Sequence, residues 1–206
     1  MLLLAALVIL PAPPLHGTET IRILALGDSP TAGYGLREAD SFTAQLQTTL
    51  RQQGFDIDIV NAGVSGDTTS GGLARLDWAL ADNPHAVILE LGANDGLRGI
   101  DPSITRDNLG AMLAKLKQKN LPVLLTGMYA PTNLGPEYVD EFNSIYPQLA
   151  AAHDVALYPF FLEGVATVAA LNQEDGIHPT REGVAVIVSG ILPYVTALIA
   201  QIREGD

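Results

Sequence analysis

The 206-residue chain has no cysteine. That excludes disulfides, a cysteine nucleophile, thiolate zinc sites, iron–sulfur clusters and a cysteine-linked lipid anchor. Basic residues are also scarce: 11 Lys and Arg stand against 23 Asp and Glu, a net charge of −12. No Lys/Arg cluster offers a local exception, so the surface repels nucleic acid and anionic lipid. No nucleic-acid partner and no stable membrane insertion are expected. Aromatic residues make up 6% with a single tryptophan, which is thin for a sugar-binding surface. The four histidines include no pair at metal-ligand spacing such as H-E-x-x-H, so no metal is expected. Nucleotide cofactors are not expected either. The glycine-rich stretch from Gly63 to Gly72 lacks the G-K-[ST] ending of a phosphate-binding loop. Gly33-x-Gly35 has Glu38 where a dinucleotide fingerprint has its third glycine.

What is present is apolar material, 48% of residues against 17% charged, enough for one buried core. Residues 18–206 read as a single domain, without linker or internal repeat. Residues 1–17 stand apart. Leu2 to Leu10 is a continuous apolar run followed by Pro11, Pro13 and Pro14. It is shorter than the roughly 20 residues that cross a bilayer and fits the apolar centre of a secretory signal. No Lys or Arg precedes it and no clean Ala-x-Ala site follows it. Export to the periplasm or beyond is the expectation. The alternatives are a mis-set start or a tail packed on the body, which would leave the protein cytoplasmic.

Short apolar runs then alternate with amphipathic segments. Strands are expected over Ile21–Leu26, Ile57–Val60, Ala86–Leu91, Val123–Thr126 and Val155–Tyr158. Helices are expected over Ser41–Gln53, Leu73–Leu80, Ile104–Lys119, Glu137–Ala152 and Arg181–Ala200, with Pro193 inside the last. Apolar strands alternating with helices imply a parallel sheet covered on both faces, a three-layer α/β/α sandwich.

In such sheets ligands bind beyond the carboxyl ends of the strands, and the polar segments fall there. Gly27-Asp28-Ser29 follows the first strand, Asn61-Ala62-Gly63-Val64-Ser65-Gly66 the second, and Gly92-Ala93-Asn94-Asp95 the third. Asp175-Gly176-Ile177-His178-Pro179 comes after the fifth. An acyl-transfer site needs a hydroxyl nucleophile, a base to take its proton, a carboxylate to orient that base, and donors for the developing oxyanion. Ser29, His178 and Asp175 supply the first three. The N–H groups of Ser29 and Gly63 and the Asn94 amide supply the donors.

These four blocks, in this order from Ile21 onward, resemble the SGNH hydrolases, also called the GDSL family, and within it the small bacterial arylesterase, thioesterase and lysophospholipase branch. The resemblance implies a five-stranded, flavodoxin-like sheet and catalysis without metal or cofactor. It also implies an acyl-contacting loop after the fourth strand, where Met128, Tyr129, Pro131 and Leu134 lie, with Ile177 beside the histidine. One position departs from the family pattern: Pro30 follows the serine where leucine is usual.

Taken singly, each residue has a plainer reading. Ser29 suits a helix N-cap, Gly63 a positive-φ turn, Asn94 a cap, and Asp28 a turn held by backbone hydrogen bonds. His16 lies in the leading segment, His85 in a loop, and His153 at a helix end. Only His178 has a carboxylate three residues before it and a proline after it. The expected substrate is a small to medium acyl ester, aryl esters included. A lysophospholipid or acyl thioester handled by the same residues is the alternative, and an inactive lipid-binding protein is the reading from another class. The sequence carries no signature of oligomeric state.

Overall fold

The computed structural model describes residues 20–205. The apolar run Leu2–Leu10 and the prolines after it lie outside the described residues. Five strands form one sheet: β1 (Ile21–Gly27), β2 (Ile57–Gly63), β3 (Ala86–Glu90), β4 (Val123–Thr126) and β5 (Ala156–Tyr158). Their spatial order is β2-β1-β3-β4-β5 and every pairing is parallel. This is the flavodoxin-like order, and the direction in which successive strands are added reverses between β1 and β3, the position where such sheets bind ligands.

The helices are α1 (Ser29–Ala32), α2 (Phe42–Gln52), α3 (Thr69–Ala79), α4 (Ala93–Leu97), α5 (Pro102–Gln118), α6 (Pro136–His153) and α7 (Arg181–Gly205). On one side α2 packs on β2 and α7 on β4 and β5, with α2 and α7 touching. On the other α3, α5 and α6 pack in a row. Three layers result, because the inner strands β1, β3 and β4 bury apolar side chains on both faces. All five residues of β3 are buried. Phe42 and Phe161 meet edge to face, centroids 5.1 Å apart, under α2.

Local chemistry sets the helix ends. Ser41 caps α2 by accepting from the Ala44 N–H at 3.3 Å, and Asp101 caps α5 from the Ser103 N–H at 2.9 Å, ahead of Pro102. Helix α3 begins at Thr69, four residues before the expected Leu73. Thr68 caps it, and Gly72 lies inside it because the Leu91 side chain packs where a Cβ would stand. Helix α7 continues through Pro193 to Gly205. It is long and apolar enough to cross a membrane. Val184, Ile187, Val188, Ile191, Val195 and Leu198 are buried at three- and four-residue spacing, which makes it a core helix of this domain.

Candidate active site

Beyond Gly27 the chain turns at once into α1, a single turn closed by Ala32 N–H to Asp28 O (2.9 Å) and Gly33 N–H to Ser29 O (3.1 Å). Gly33, in the left-handed region at φ 80°, ends it. Gly27 lets this turn lie flat on the sheet: a side chain there would overlap Thr31 and Glu90. Pro30 is the second helical residue, one place deeper than the first-position proline of the familiar pattern. Its missing N–H falls within the first turn, where helix donors have no intrahelical partner.

Ser29 is the first residue of that turn, 8% exposed. Its Oγ lies 2.9 Å from His178 Nε2, and His178 Nδ1 lies 2.6 Å from Asp175 Oδ2. The other Asp175 oxygen accepts the Ile177 and His178 N–H groups at 2.9 and 3.0 Å. So one carboxylate both folds the loop and orients the ring. The backbone N–H and ring of His178, with the Ile177 N–H, hold the Asp175 carboxyl well below the usual carboxylate range.

The histidine loop is tied to the nucleophile segment. Gln173 donates through Nε2 to Tyr34 O (2.8 Å) and Pro179 O (2.9 Å), and its N–H reaches His178 O at 2.7 Å. The Tyr34 ring lies against the imidazole, centroids 4.4 Å apart. Gly35 leaves room for the Gln173 carboxamide, which a side chain would displace.

Asn94 sits in α4, behind Gly92 at φ 117°. One hydrogen of its amide nitrogen goes to Asp28 Oδ2 at 3.0 Å, leaving the second for a substrate oxygen. Asp95 is fully buried. It accepts from Thr69 Oγ1 (2.5 Å) and N–H (2.9 Å) and from Thr105 Oγ1 (3.2 Å), pinning α4 to α3 and α5.

Gly63 departs from expectation. Its N–H donates to Asn61 Oδ1 at 2.9 Å, so it is not free for an oxyanion. Its missing side chain serves packing, because a Cβ would run into the backbone of Thr31 and Ala32. In the same connection Gly66 lies at φ 80° in the Val64–Asp67 turn, and its carbonyl is held by Arg98 Nη2 at 2.8 Å. Among the described residues no acceptor meets the N–H groups of Ser29 or Gly66.

The expected acyl-contacting residues divide. Met128 is only 2% exposed and belongs to the core, so it presents no surface to a substrate. Tyr129 is exposed and stacks on Phe160 with centroids 4.4 Å apart. Pro131 is half-buried ahead of a short turn, and Ile177 is exposed beside His178. A cavity of about 290 Å³ lined by Leu113, Lys117, Pro122 and His153 opens at the opposite end of the sheet, before β4 and β5, away from this chemistry. Among the described residues no cluster of His, Asp or Glu is placed to hold a metal.

Sequence reasoning missed three participants. Arg75 bridges Asp67 Oδ2 (2.7 Å), Ala62 O (2.8 Å) and Gly27 O (2.9 Å), clamping the ends of β1 and β2. Gln173 ties the two loops. Glu90, the last residue of β3, is wholly buried under α1. Its signal was a lone carboxylate ending the apolar run Ala86-Val87-Ile88-Leu89.

A Ser–His–Asp chain at the switch point of a five-stranded parallel sheet defines a serine hydrolase of the α/β/α class. Comparison with known proteins makes that specific. Residues 25–186 match the GDSL-like Lipase/Acylhydrolase family. Esterase TesA of Pseudomonas aeruginosa is 42% identical over 86% of this chain and 89% of its own length. The arylesterase of Vibrio mimicus is 39% identical over 87% and 86%. The thioesterase 1/protease 1/lysophospholipase L1 of Escherichia coli K12 is 39% identical over 86% and 84%. The crystal structure of TesA superposes with a TM-score of 0.82, covering 86% of this chain and 99% of that one at 42% identity. That of the SGNH-hydrolase family esterase AlinE4 gives 0.74, covering 87% and 96% at 48% identity. The chain belongs to the GDSL-like lipase/acylhydrolase family, and is a carboxylic-ester hydrolase.

Proposed function

We propose that the chain cleaves small to medium acyl esters, aryl esters included, through an acyl-enzyme on Ser29. The observation that carries this is the unbroken path from Asp175 Oδ2 to His178 Nδ1 (2.6 Å) and from His178 Nε2 to Ser29 Oγ (2.9 Å). With Nδ1–H donating to Asp175, Nε2 is the acceptor, and it takes the Ser29 proton as Oγ attacks the ester carbonyl. Asp175 then stabilises the imidazolium. The tetrahedral oxyanion draws on the Ser29 N–H and the second amide hydrogen of Asn94. Gly66 N–H replaces Gly63 as the third donor in this reading, because the Gly63 N–H is already engaged. His178 returns its proton to the leaving alkoxide. It next takes one from water, which attacks the acyl-enzyme and releases the acid while Ser29 regains its proton.

Ile177, Tyr129 and Pro131 are the proposed acyl contacts. A thioester or lysophospholipid would use the same residues, a second reading favoured by the likeness to the thioesterase 1/protease 1/lysophospholipase L1 of Escherichia coli. Residues 1–17 act, in this proposal, as a secretory signal. Amino-terminal sequencing of protein recovered from the periplasm and medium tests that, and an intact chain confined to the cytoplasm refutes it.

The test of the catalytic reading is hydrolysis of p-nitrophenyl esters across chain lengths, beside lysophospholipid and acyl-CoA, with fluorophosphonate labelling. The wild type labels and turns over; Ser29→Ala does neither, and keeps its melting temperature. An inactive lipid binder would not label. Wild-type labelling of Ser29→Ala would move the nucleophile elsewhere, with the exposed Ser65 first to examine.

A further inference from the structure

Two carboxyl groups lie under the nucleophile turn, and the reaction sequence above uses neither. Asp28 and Glu90 are both 0% exposed. Glu90 Oε2 accepts from Thr31 Oγ1 at 2.6 Å and from the Asp28 N–H at 3.2 Å. Asp28 Oδ2 accepts from Asn94 Nδ2 at 3.0 Å. The remaining oxygens, Asp28 Oδ1 and Glu90 Oε1, are buried without any donor, and the Asp28 N–H resting on Glu90 Oε2 keeps the two acids in close contact. Two ionised carboxylates in that contact would repel in a medium that screens poorly. Two orphaned buried oxygens on adjacent acids have a simple remedy, a proton between them.

Among the described residues the surroundings offer no other. Asp67 faces Asp28 and adds like charge, and the guanidinium of Arg75 is taken up by Asp67 and two carbonyls. Asp95 lies beyond Asn94, bound by Thr69 and Thr105. The Tyr146 hydroxyl donates to Leu91 O. Among the described residues, His178 on the solvent side is the group whose positive form would favour an anion here.

We propose that Asp28 and Glu90 share one proton, and that this singly charged pair is the positioning device for the oxyanion donor Asn94. The proton joins Asp28 Oδ1 to Glu90 Oε1. Glu90 holds the turn through Thr31 and the Asp28 N–H, and Asp28 Oδ2 holds one Asn94 hydrogen so that the other faces the substrate oxygen. Burial pushes the Asp28 carboxyl up to about 7, and pushes Glu90, with the charge of Asp28 added, well above the usual carboxylate range. The last proton therefore leaves on the alkaline side. Its loss sets two charges in contact, drives the side chains apart and releases Asn94. The effect falls on kcat, because Asn94 serves the transition state more than the bound ester.

The inference rests on the ester-hydrolase reading for its kinetic test and is independent of it for the spectroscopic one. Glu90→Gln replaces the shared proton by an amide hydrogen: Nε2 donates to Asp28 Oδ1, and Oε1 accepts from Thr31 and the Asp28 N–H. The expected result is a kcat at pH 7 within about threefold of wild type, since every hydrogen bond keeps a partner. The wild type should show an alkaline fall of kcat that is absent from the variant, with KM alike in both. Glu90→Leu keeps the volume but not the bonds, and should lose about tenfold or more in kcat. In the resting wild type without substrate, infrared difference spectra across alkaline pH should show a buried protonated carboxyl stretch disappearing, and Glu90→Gln should lack that band. A Gln variant with the wild-type alkaline limb, or one that loses tenfold at pH 7, would overturn the shared proton. So would a wild type with no such band at neutral pH, whatever the enzyme hydrolyses.

Discussion

Replacing Asp175 by asparagine tests the loop and the ring separately. In the native loop one oxygen accepts two backbone N–H groups, from Ile177 and His178, while the other faces His178 Nδ1. Asparagine has a single acceptor oxygen. If that oxygen stays on the two backbone donors, the amide nitrogen points at Nδ1. The ring then puts its proton on Nε2, where it faces Ser29 Oγ as a donor and can no longer take the serine proton. The flipped amide would set its nitrogen against two N–H groups and lose both bonds, at about 1 kcal/mol net each. The fold of the loop therefore selects the unproductive tautomer. In a triad of this kind the cost is about 10⁴-fold in kcat, equivalent to about 5.5 kcal/mol of lost transition-state stabilisation. Stability should barely change, because the loop bonds survive. The assay is kcat and KM on p-nitrophenyl butyrate beside a thermal melt of the same protein. A variant that keeps a tenth of wild-type kcat would refute the argument. An equal loss of activity with a melt lowered by about 5 °C or more would show that the loop, not the tautomer, had failed.

Asn94→Ala should lower kcat by about 10²–10³-fold with little change in KM, as measured by steady-state kinetics on the same ester. It also strips Asp28 Oδ2 of its donor, so a denaturant melt should show a loss of about 1–3 kcal/mol. A raised KM with unchanged kcat would make Asn94 a ground-state contact instead. Pro30→Leu should retain substantial activity on short aryl esters and cost about 0.4–1 kcal/mol through the freer unfolded chain. The melting temperature and the chain-length profile, taken together, check it, and a variant more stable than wild type would reverse the explanation.

The sheet and its covering helices were legible because the apolar runs are long relative to their turns, as in Ala86–Glu90, whose every residue is buried. Helix starts were less so. Gly71 and Gly72 obscured α3, whose early turns depend on the Thr68 cap and on the position of Leu91. Ser29, His178 and Asp175 could be picked out because each stands in a block of distinctive neighbours. Gly63 and Gly66 could not be told apart in the same way. Which of their N–H groups is free depends on the Asn61 side chain, a matter of geometry rather than residue type. Met128 follows a strand, as an acyl contact would, but points into the core. Glu90 was the least visible. Its partners Thr31 and Asp28 are 59 and 62 residues away, and only the parallel pairing of Gly27 with Glu90 brings them together.

The strand order also divides the chain into unequal halves of a working enzyme. The four strands β2-β1-β3-β4 carry the nucleophile and Asn94, whereas β5, a three-residue edge strand, the histidine loop and α7 bring the base and its carboxylate. During synthesis the nucleophile is made first and stays inert until this last portion docks. Turnover is thus a readout of assembly. Two fragments divided in the connection before β5 would make a split reporter, silent apart and active only when the edge of the sheet is completed.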